Sequence, residues 1–463
     1  MRGKARTVNL IEGSIWKGLI LFSLPLMASN LFQQFYNTMD SLVVGQFVGS
    51  TALAAVGSTG SLSFLVIGFF MGFGTGSGVI IAQHYGAKEP EEVSKSVHTA
   101  MALAIFFGIV LGVVGILIAP GLLKLMNTPD DVMDQAVLYL RIYFGGVITL
   151  TVYNIGSGIM RAVGDSKRPL YYLVISGITN VVLNLVFVIV FHLGVAGVAL
   201  ATIASQLLSS VLVVRDLMRT QESYRLELRK IRFHKEILLK IAKIGIPAGV
   251  QSMVISLSNI VIQSKINIFG SDAMAGQAAA QRIDGFVYMP LNAFSLAMTT
   301  FTAQNLGAGK FDRVHRGTKT AMLLGLISTI ALGWSAALLA RPLVGLFTDK
   351  EEVLYYGIRS VLVLGGTYFT FVFNDILAGV IRGAGNAVVP MTISIFNMCI
   401  VRILWLTIIL SIWKNYYLVL VCYPMTWTLS SLCYIIYYFK GKWREPWKQK
   451  EAELMAAAAE KEA

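Results

Sequence analysis

Charge is what this 463-residue sequence has least of: Asp, Glu, Lys and Arg together supply 14% of it. A water-soluble chain needs roughly 25% to cover its surface, so most of this surface faces something other than water. Cysteine is nearly absent. Cys399, Cys422 and Cys433 all fall in apolar stretches without CxxC spacing, which argues against a disulfide framework and a cysteine metal site. The five histidines are scattered and form no HxxxH pair. There is no Walker-type loop: the glycine run Gly68, Gly72, Gly74, Gly76, Gly78 lacks a following Lys-Ser/Thr and reads as a closely packed helix face. No nucleophile–base or metal constellation stands within the apolar stretches, so neither an enzyme nor a cofactor is expected.

Apolar sequence is what remains. Hydrophobic residues make up 56% and mean hydropathy is +0.68. Runs of the roughly 20 residues needed to cross a hydrocarbon core recur from end to end. They read as twelve helices over 15–41, 51–82, 92–120, 131–159, 168–191, 194–217, 237–266, 272–303, 312–340, 351–379, 388–411 and 416–439. The second and eighth are too long for one perpendicular crossing. Residues 1–17 are basic and polar, so no cleavable signal peptide is expected.

The net charge of +13 sits in short loops and at the termini, which is a membrane-topology pattern and no sign of nucleic acid. Alternate loops collect Arg2, Lys4, Arg6, Lys88, Lys95, Arg161, Lys167, Arg168, the 215–243 connector, Lys310, Arg313, Arg316, Lys319, Arg382 and a basic tail from Lys440. The opposite loops keep Lys124, Arg341, Lys350 and Lys414 beside the acidic clusters Asp130, Asp131, Asp134 and Asp349, Glu351, Glu352. Both termini are therefore expected in the cytoplasm, in a multi-pass protein of the inner (plasma) membrane. The basic connector is expected to lie on anionic membrane lipid.

The sequence repeats internally. At a shift of 221 residues, 49–169 aligns with 270–390 without a gap: Gly49-Ser50 on Gly270-Ser271, Ala82-Gln83 on Ala303-Gln304, Gly86-Ala87 on Gly307-Ala308, and Arg161, Gly164, Pro169 on Arg382, Gly385, Pro390. Pro25 and Pro247 correspond with a one-residue slip. The expected architecture is an all-α membrane protein of two like-oriented six-helix bundles, related by a pseudo-two-fold along the membrane normal with a cavity between them. The expected divisions are an N-terminal lobe 1–217, a connector 218–236, a C-terminal lobe 237–440 and a charged tail 441–463.

Polar residues inside the spans need a reason to be there, because a carboxylate costs about 2.5–3.5 kcal/mol on insertion scales. Asp40, near the end of the first span, is a candidate proton carrier. Asn180 and Asn184 share one face of the fifth span, and with Asn154 and Thr202 they could complete a hydrogen-bonded cluster. Asp375, the repeat mate of Asn154, lies two helical turns before Arg382, as an electrostatic tether or a second ion or substrate site. Asp284 and Arg282, two residues apart, point to different faces and so find partners elsewhere; Asp284, with Asp375, is a candidate for the substrate cavity. Lys265 and Arg402 are expected to snorkel toward an interface. Tyr36, Tyr139, Met253, Met289 and Phe294 could line an adaptable cavity. Pro25 and Pro247 are candidate hinges, and Pro25 should kink the first helix.

Several of these stretches together resemble the multidrug and toxic compound extrusion (MATE) family, in its DinF-like branch: FSLPLMASNLFQQFYNTMDSLVVGQF, TALAAVG, GFGTGSGVIIAQHYGAK, and the paired turns MRAVGDSKRP and IRGAGNAVVP. The resemblance implies a twelve-helix secondary antiporter that exports organic, often cationic, compounds in exchange for H+ or Na+ by alternating access. It also implies that Asp40 is the ion-coupling aspartate of the N-terminal lobe. Many relatives carry an aspartate where this sequence has Asn184, which leaves Asp40 as the main titrating group. The partners expected are a small organic substrate and membrane lipid, with the protein a monomer. The alternative is a flippase or exporter of a lipid-linked or amphipathic precursor. The turn after the second span, QHYGAKEPEEVSKS, matches the major facilitator hallmark poorly.

Overall fold

The computed structural model describes residues 7–125 and 128–449. Arg2, Lys4, Arg6 and the tail from residue 450 lie outside the described residues. All regular structure among the described residues is helical.

The first half holds α1 (Ile15–Val43), α2 (Ser50–Gly86), α3 (Pro90–Leu125), α4 (Asp130–Gly145), α5 (Val147–Ala162), α6 (Lys167–Leu185) and α7 (Gly194–Arg219). The second holds α8 (Lys235–Asn267), α9 (Ser271–Gly307), α10 (Phe311–Leu338), the short α11 (Ala340–Gly345), α12 (Glu351–Thr367), α13 (Phe371–Gly383), α14 (Val388–Ser394), α15 (Arg402–Ile412) and α16 (Tyr416–Lys440). Turns of π-helix extend α1 (Val44–Val48) and α6 (Val186–Val190) and join α14 to α15 (Ile395–Val401).

Among the described residues nine helices, counted with their continuations, are long and apolar enough to cross a membrane, and the pair α4–α5, bent by 47°, makes a tenth. The 37-residue α2 and α9, about 55 Å long at 1.5 Å per residue, complete six spans per half. Large apolar side chains such as Val113, Leu117 and Ile327 are more than half exposed. That is ruinous in water and expected against lipid. The all-α, twelve-helix, two-half architecture read from the sequence is the architecture observed.

The repeat is geometric as well as lexical. α2 and α9 begin and end 221 residues apart. Their exits match bond for bond: Ala87 N–H donates to Gln83 O at 2.9 Å and Ala308 N–H to Gln304 O at 3.0 Å, then Glu89 N–H to His84 O at 3.1 Å and Lys310 N–H to Asn305 O at 2.8 Å. The turn after α5 and its mate after α13 both place glycine in the left-handed region, Gly164 at φ +93° and Gly385 at φ +91°, where a Cβ is strained. Each glycine donates to the arginine three residues earlier, Gly164 to Arg161 O at 3.0 Å and Gly385 to Arg382 O at 2.9 Å. Asp165 then accepts from Lys167 and Arg168 N–H, while its mate Asn386 accepts from Val389 N–H.

Helix packing repeats too. A Cβ on Gly112 would lie 3.0 Å from Phe144 O, and a Cβ on its mate Gly333 would lie 2.4 Å from Gly365 O. Each half thus brings two helix backbones together over one small residue.

The described chain forms two compact units. Unit 1 comprises Pro25–Ile246 with residues 7 and 8; unit 2 comprises Asn9–Leu24 with residues 247–449. These lines differ from the repeat-based lobes, because the chain passes from one unit to the other inside α1 at Pro25 and inside α8 at Pro247. Both helices continue through their prolines. In unit 2, the turn between α9 and α10 grips the segment before α1: Arg313 donates to the carbonyls of Leu10, Glu12 and Gly13, and Asn305 donates to Leu10 O. In unit 1, the connector packs Tyr224 and Leu226 into the interior.

Candidate functional site

In unit 1, Asp40 stands one turn before α1 passes into π-helix. The fully buried Asn180 and Asn184 lie four residues apart on α6. That spacing lets Asn184 Nδ2 donate to Asn180 Oδ1 at 3.0 Å and also to the Asp40 carboxylate. Asn180 and Thr202 also face Asp40. The Thr202 hydroxyl donates to Val198 O at 3.0 Å. Asn184 Oδ1 is buried without a hydrogen-bond partner. The carboxylate is thus enclosed by amide and hydroxyl groups, with Asn180 Nδ2 likewise left without a hydrogen-bond partner. The carboxylate is the group here that can take up a proton or a small cation.

Tyrosines wall the cluster. Tyr36 precedes Asp40 by one turn on the same face, beside Thr202 and Ser205. Tyr139 and Tyr143 of α4 stack at 6.1 Å with planes 9° apart, both within electrostatic reach of Asp40. Tyr143 and Ser205 were not singled out in the sequence; their spacing from Tyr139 and Thr202, four and three residues, was the available signal.

Asn154 is not brought to this cluster. On α5 it faces α2 and α3, lines a small pocket with Phe70, Phe107 and Leu111, and donates to Leu150 O at 2.9 Å.

In unit 2, Asp284 accepts from the Tyr368 hydroxyl at 3.0 Å. It opens on a cavity of about 10 Å³ lined by Ala280, Ile283, Val287 and Leu364, room for about one water. Arg282 points elsewhere, over the Phe347 ring at 5.8 Å. Around Asp284 the rings of Tyr368, Phe371, Tyr423 and Trp427 pack with centroids 5.0–6.5 Å apart. The apolar cluster there contains none of Met253, Met289 and Phe294; Phe294 is core, and the two methionines are half-buried. Asp375 faces Tyr288 and feels the charge of Arg382, but no ion pair joins Asp375 to Arg382 among the described residues. Arg382 instead donates to Ala378 O and Ser295 Oγ, and Ser295 Oγ donates to Asp375 O. One Asp375 carboxylate oxygen is buried without a partner.

Arg402 does not snorkel. It is 3% exposed, because Thr426 Oγ1 accepts from its Nε at 3.2 Å and its Nη2 at 2.7 Å while the Tyr423 ring lies 5.0 Å from its Cζ.

The MatE family model matches residues 25–186 and 247–408, one copy per half. The chain belongs to the MatE family. It is 30% identical over 446 residues, 95% of each chain, to the probable multidrug resistance protein YoeA of Bacillus subtilis. It is 28% identical to YpnP of the same organism, over 95% of this chain and 98% of that one. Its fold matches a crystal structure of MATE in the bent conformation with a TM-score of 0.89 at 22% identity, covering 97% of this chain and all of that one. The MatE chain described here is thus a multi-pass membrane transporter and not an enzyme.

Proposed function

We propose that this MatE transporter is a secondary antiporter that exports organic, often cationic, compounds in exchange for H+ or Na+. The observation that carries this reading is the cluster of Asp40 with Asn180, Asn184 and Thr202. It is one ionisable group at membrane depth, held by a buried amide, with an unspent amide oxygen beside it. A proton or Na+ arriving at Asp40 removes the charge to which Asn184 donates, so the hydrogen bonds joining α1 to α6 must rearrange. Pro25 and Pro247 are the hinges of that rearrangement, which the unit boundaries at these two positions support. The excess of Lys and Arg in alternate loops supports cytoplasmic termini. One charge crossing 100 mV provides roughly 2.3 kcal/mol, enough for about a fifty-fold substrate gradient.

In unit 2 the Asp284–Tyr368 pair and its aromatic surround form the cation-recognising wall. Ethidium efflux from proteoliposomes under imposed pH or sodium gradients tests the reading. Efflux that follows one of the gradients and is lost in Asp40→Asn supports it; efflux indifferent to both gradients contradicts it.

A further inference from the structure

A guanidinium at membrane depth normally meets a carboxylate or reaches the interface. Arg402 does neither. It sits mid-way along the span Val388–Ile412, buried, and no carboxylate lies within ion-pair distance of it among the described residues. Thr426 takes two of its five N–H groups, and one face rests on Tyr423. The other N–H groups have no partner among the described residues. The Thr426 hydroxyl donates to Cys422 O at 2.7 Å, so Thr426 holds Arg402 in place without neutralising it.

Two further observations single out this position. The π-helical stretch Ile395–Val401 ends immediately before Arg402. Such stretches loosen backbone pairing, re-aim the residue that follows, and cluster at functional sites. The repeat adds a contrast of sign. Where α1 and α6 of the first half bring Asp40 and Asn180 together, the positions 222 residues on, the offset between the ends of the two repeat copies, hold Ile262 and Arg402. An acid with neutral partners in one half answers to a cation with neutral partners in the other. Tyr423 lies within electrostatic reach of both Arg402 and Asp284, so unit 2 brings one positive and one negative group to bear on the same tyrosine.

We propose that Arg402, fixed by Thr426 and Tyr423, is an anion-recognition point that takes the carboxylate or phosphate group of a transported compound. This rests on the transport reading above and adds to it a preference, among organic cations, for those that also bear an anionic group. The free N–H groups of Arg402 donate to the oxyanion, and the charge left uncompensated in the empty protein is compensated in the loaded one.

Rhodamine B and its ethyl ester differ by one carboxylate and share the same cationic rings. Their binding to the purified full-length protein, read by fluorescence anisotropy, isolates the anionic group. Wild type should bind the acid about tenfold or more tightly than the ester. Arg402→Met should erase that preference while leaving ester binding and the melting temperature in place, and Arg402→Lys should keep part of it. Should Arg402→Met fail to fold, Arg402→Gln, which keeps a donor toward Thr426, replaces it. Equal binding of the two dyes by wild type overturns the proposal. So does a parallel loss of both dyes in the variants, which would make Arg402 a packing residue. Ester efflux from vesicles is scored separately: its absence counts against the exporter reading and leaves the binding comparison to decide the anion site.

Discussion

The Asn184 side chain donates to the Asp40 carboxylate and to Asn180 Oδ1 through the same Nδ2, leaving its own Oδ1 buried and unpartnered. Asn184→Ala should therefore lower gradient-driven efflux by about tenfold, the worth of a hydrogen bond to a charged group, without preventing insertion; vesicle efflux normalised to folded protein measures it. The spacing of Asn180 and Asn184 and the depth of Asp40 made this cluster legible in the sequence. Asn154 misled because an asparagine in an apolar helix does not announce its face, and α5 turns it toward α2 and α3. Tyr368 and Trp427 were illegible for the converse reason: aromatic residues are ordinary in such helices, and only tertiary packing gathers them. Arg402 was read as snorkelling because the sequence could not show Thr426 waiting for it. At the turn after α5, Gly164→Ala meets both a left-handed φ and Val8 O at 2.6 Å. It should cost about 1–3 kcal/mol, seen as a lower thermal midpoint.

The connector is held to α3 by two histidines whose protonation states the hydrogen bonds dictate. His98 Nδ1 donates to Ser94 O at 2.7 Å, so its Nε2 must be bare to accept from Glu227 N–H at 3.0 Å. His234 Nε2 accepts from Arg232 Nε at 3.2 Å, and its Nδ1 and backbone N–H both reach Thr99 Oγ1. The His234 ring is neutral when docked. Burial first, then the positive charges of Arg232 and Lys95, hold His234 below its ordinary value, with Glu92 opposing. A base held low binds fewer protons docked than undocked, so docking is intact above the ordinary histidine range near ~6.5 and weakens as pH falls through it. Hydrogen exchange at the His234 amide, which donates to Thr99 Oγ1 in the docked connector, should show protection at pH 8, corrected for intrinsic rate, that is reduced at pH 5.5. His234→Gln should blunt that loss by putting a side chain that does not titrate in place of the imidazole. At the second close helix contact, Gly333→Ala must push α10 from α12, because its Cβ would meet Gly365 O at 2.4 Å. A cost of about 1–3 kcal/mol is expected, measurable as a lower melting temperature.

Across the whole molecule, twelve spans and their pairing by repeat could be read from apolar run length and a 221-residue shift, because both are local properties of the sequence. The exchange of units at Pro25 and Pro247 could not, since hydropathy says that a helix crosses the membrane and nothing about which bundle it joins. Each half spends the same turns and small residues on its frame and diverges in the polar groups at membrane depth: Asp40 in one, Asp284, Asp375 and Arg402 in the other. Coupling in the first half and recognition in the second is the division of labour that this divergence supports. Ethidium efflux from proteoliposomes, driven by a pH or a sodium gradient and compared between wild type and Asp40→Asn, tests it most directly. The account predicts gradient-driven efflux in wild type, and in the variant ethidium binding that is kept while coupling to the gradient is lost. Gradient-driven efflux that survives Asp40→Asn would contradict it.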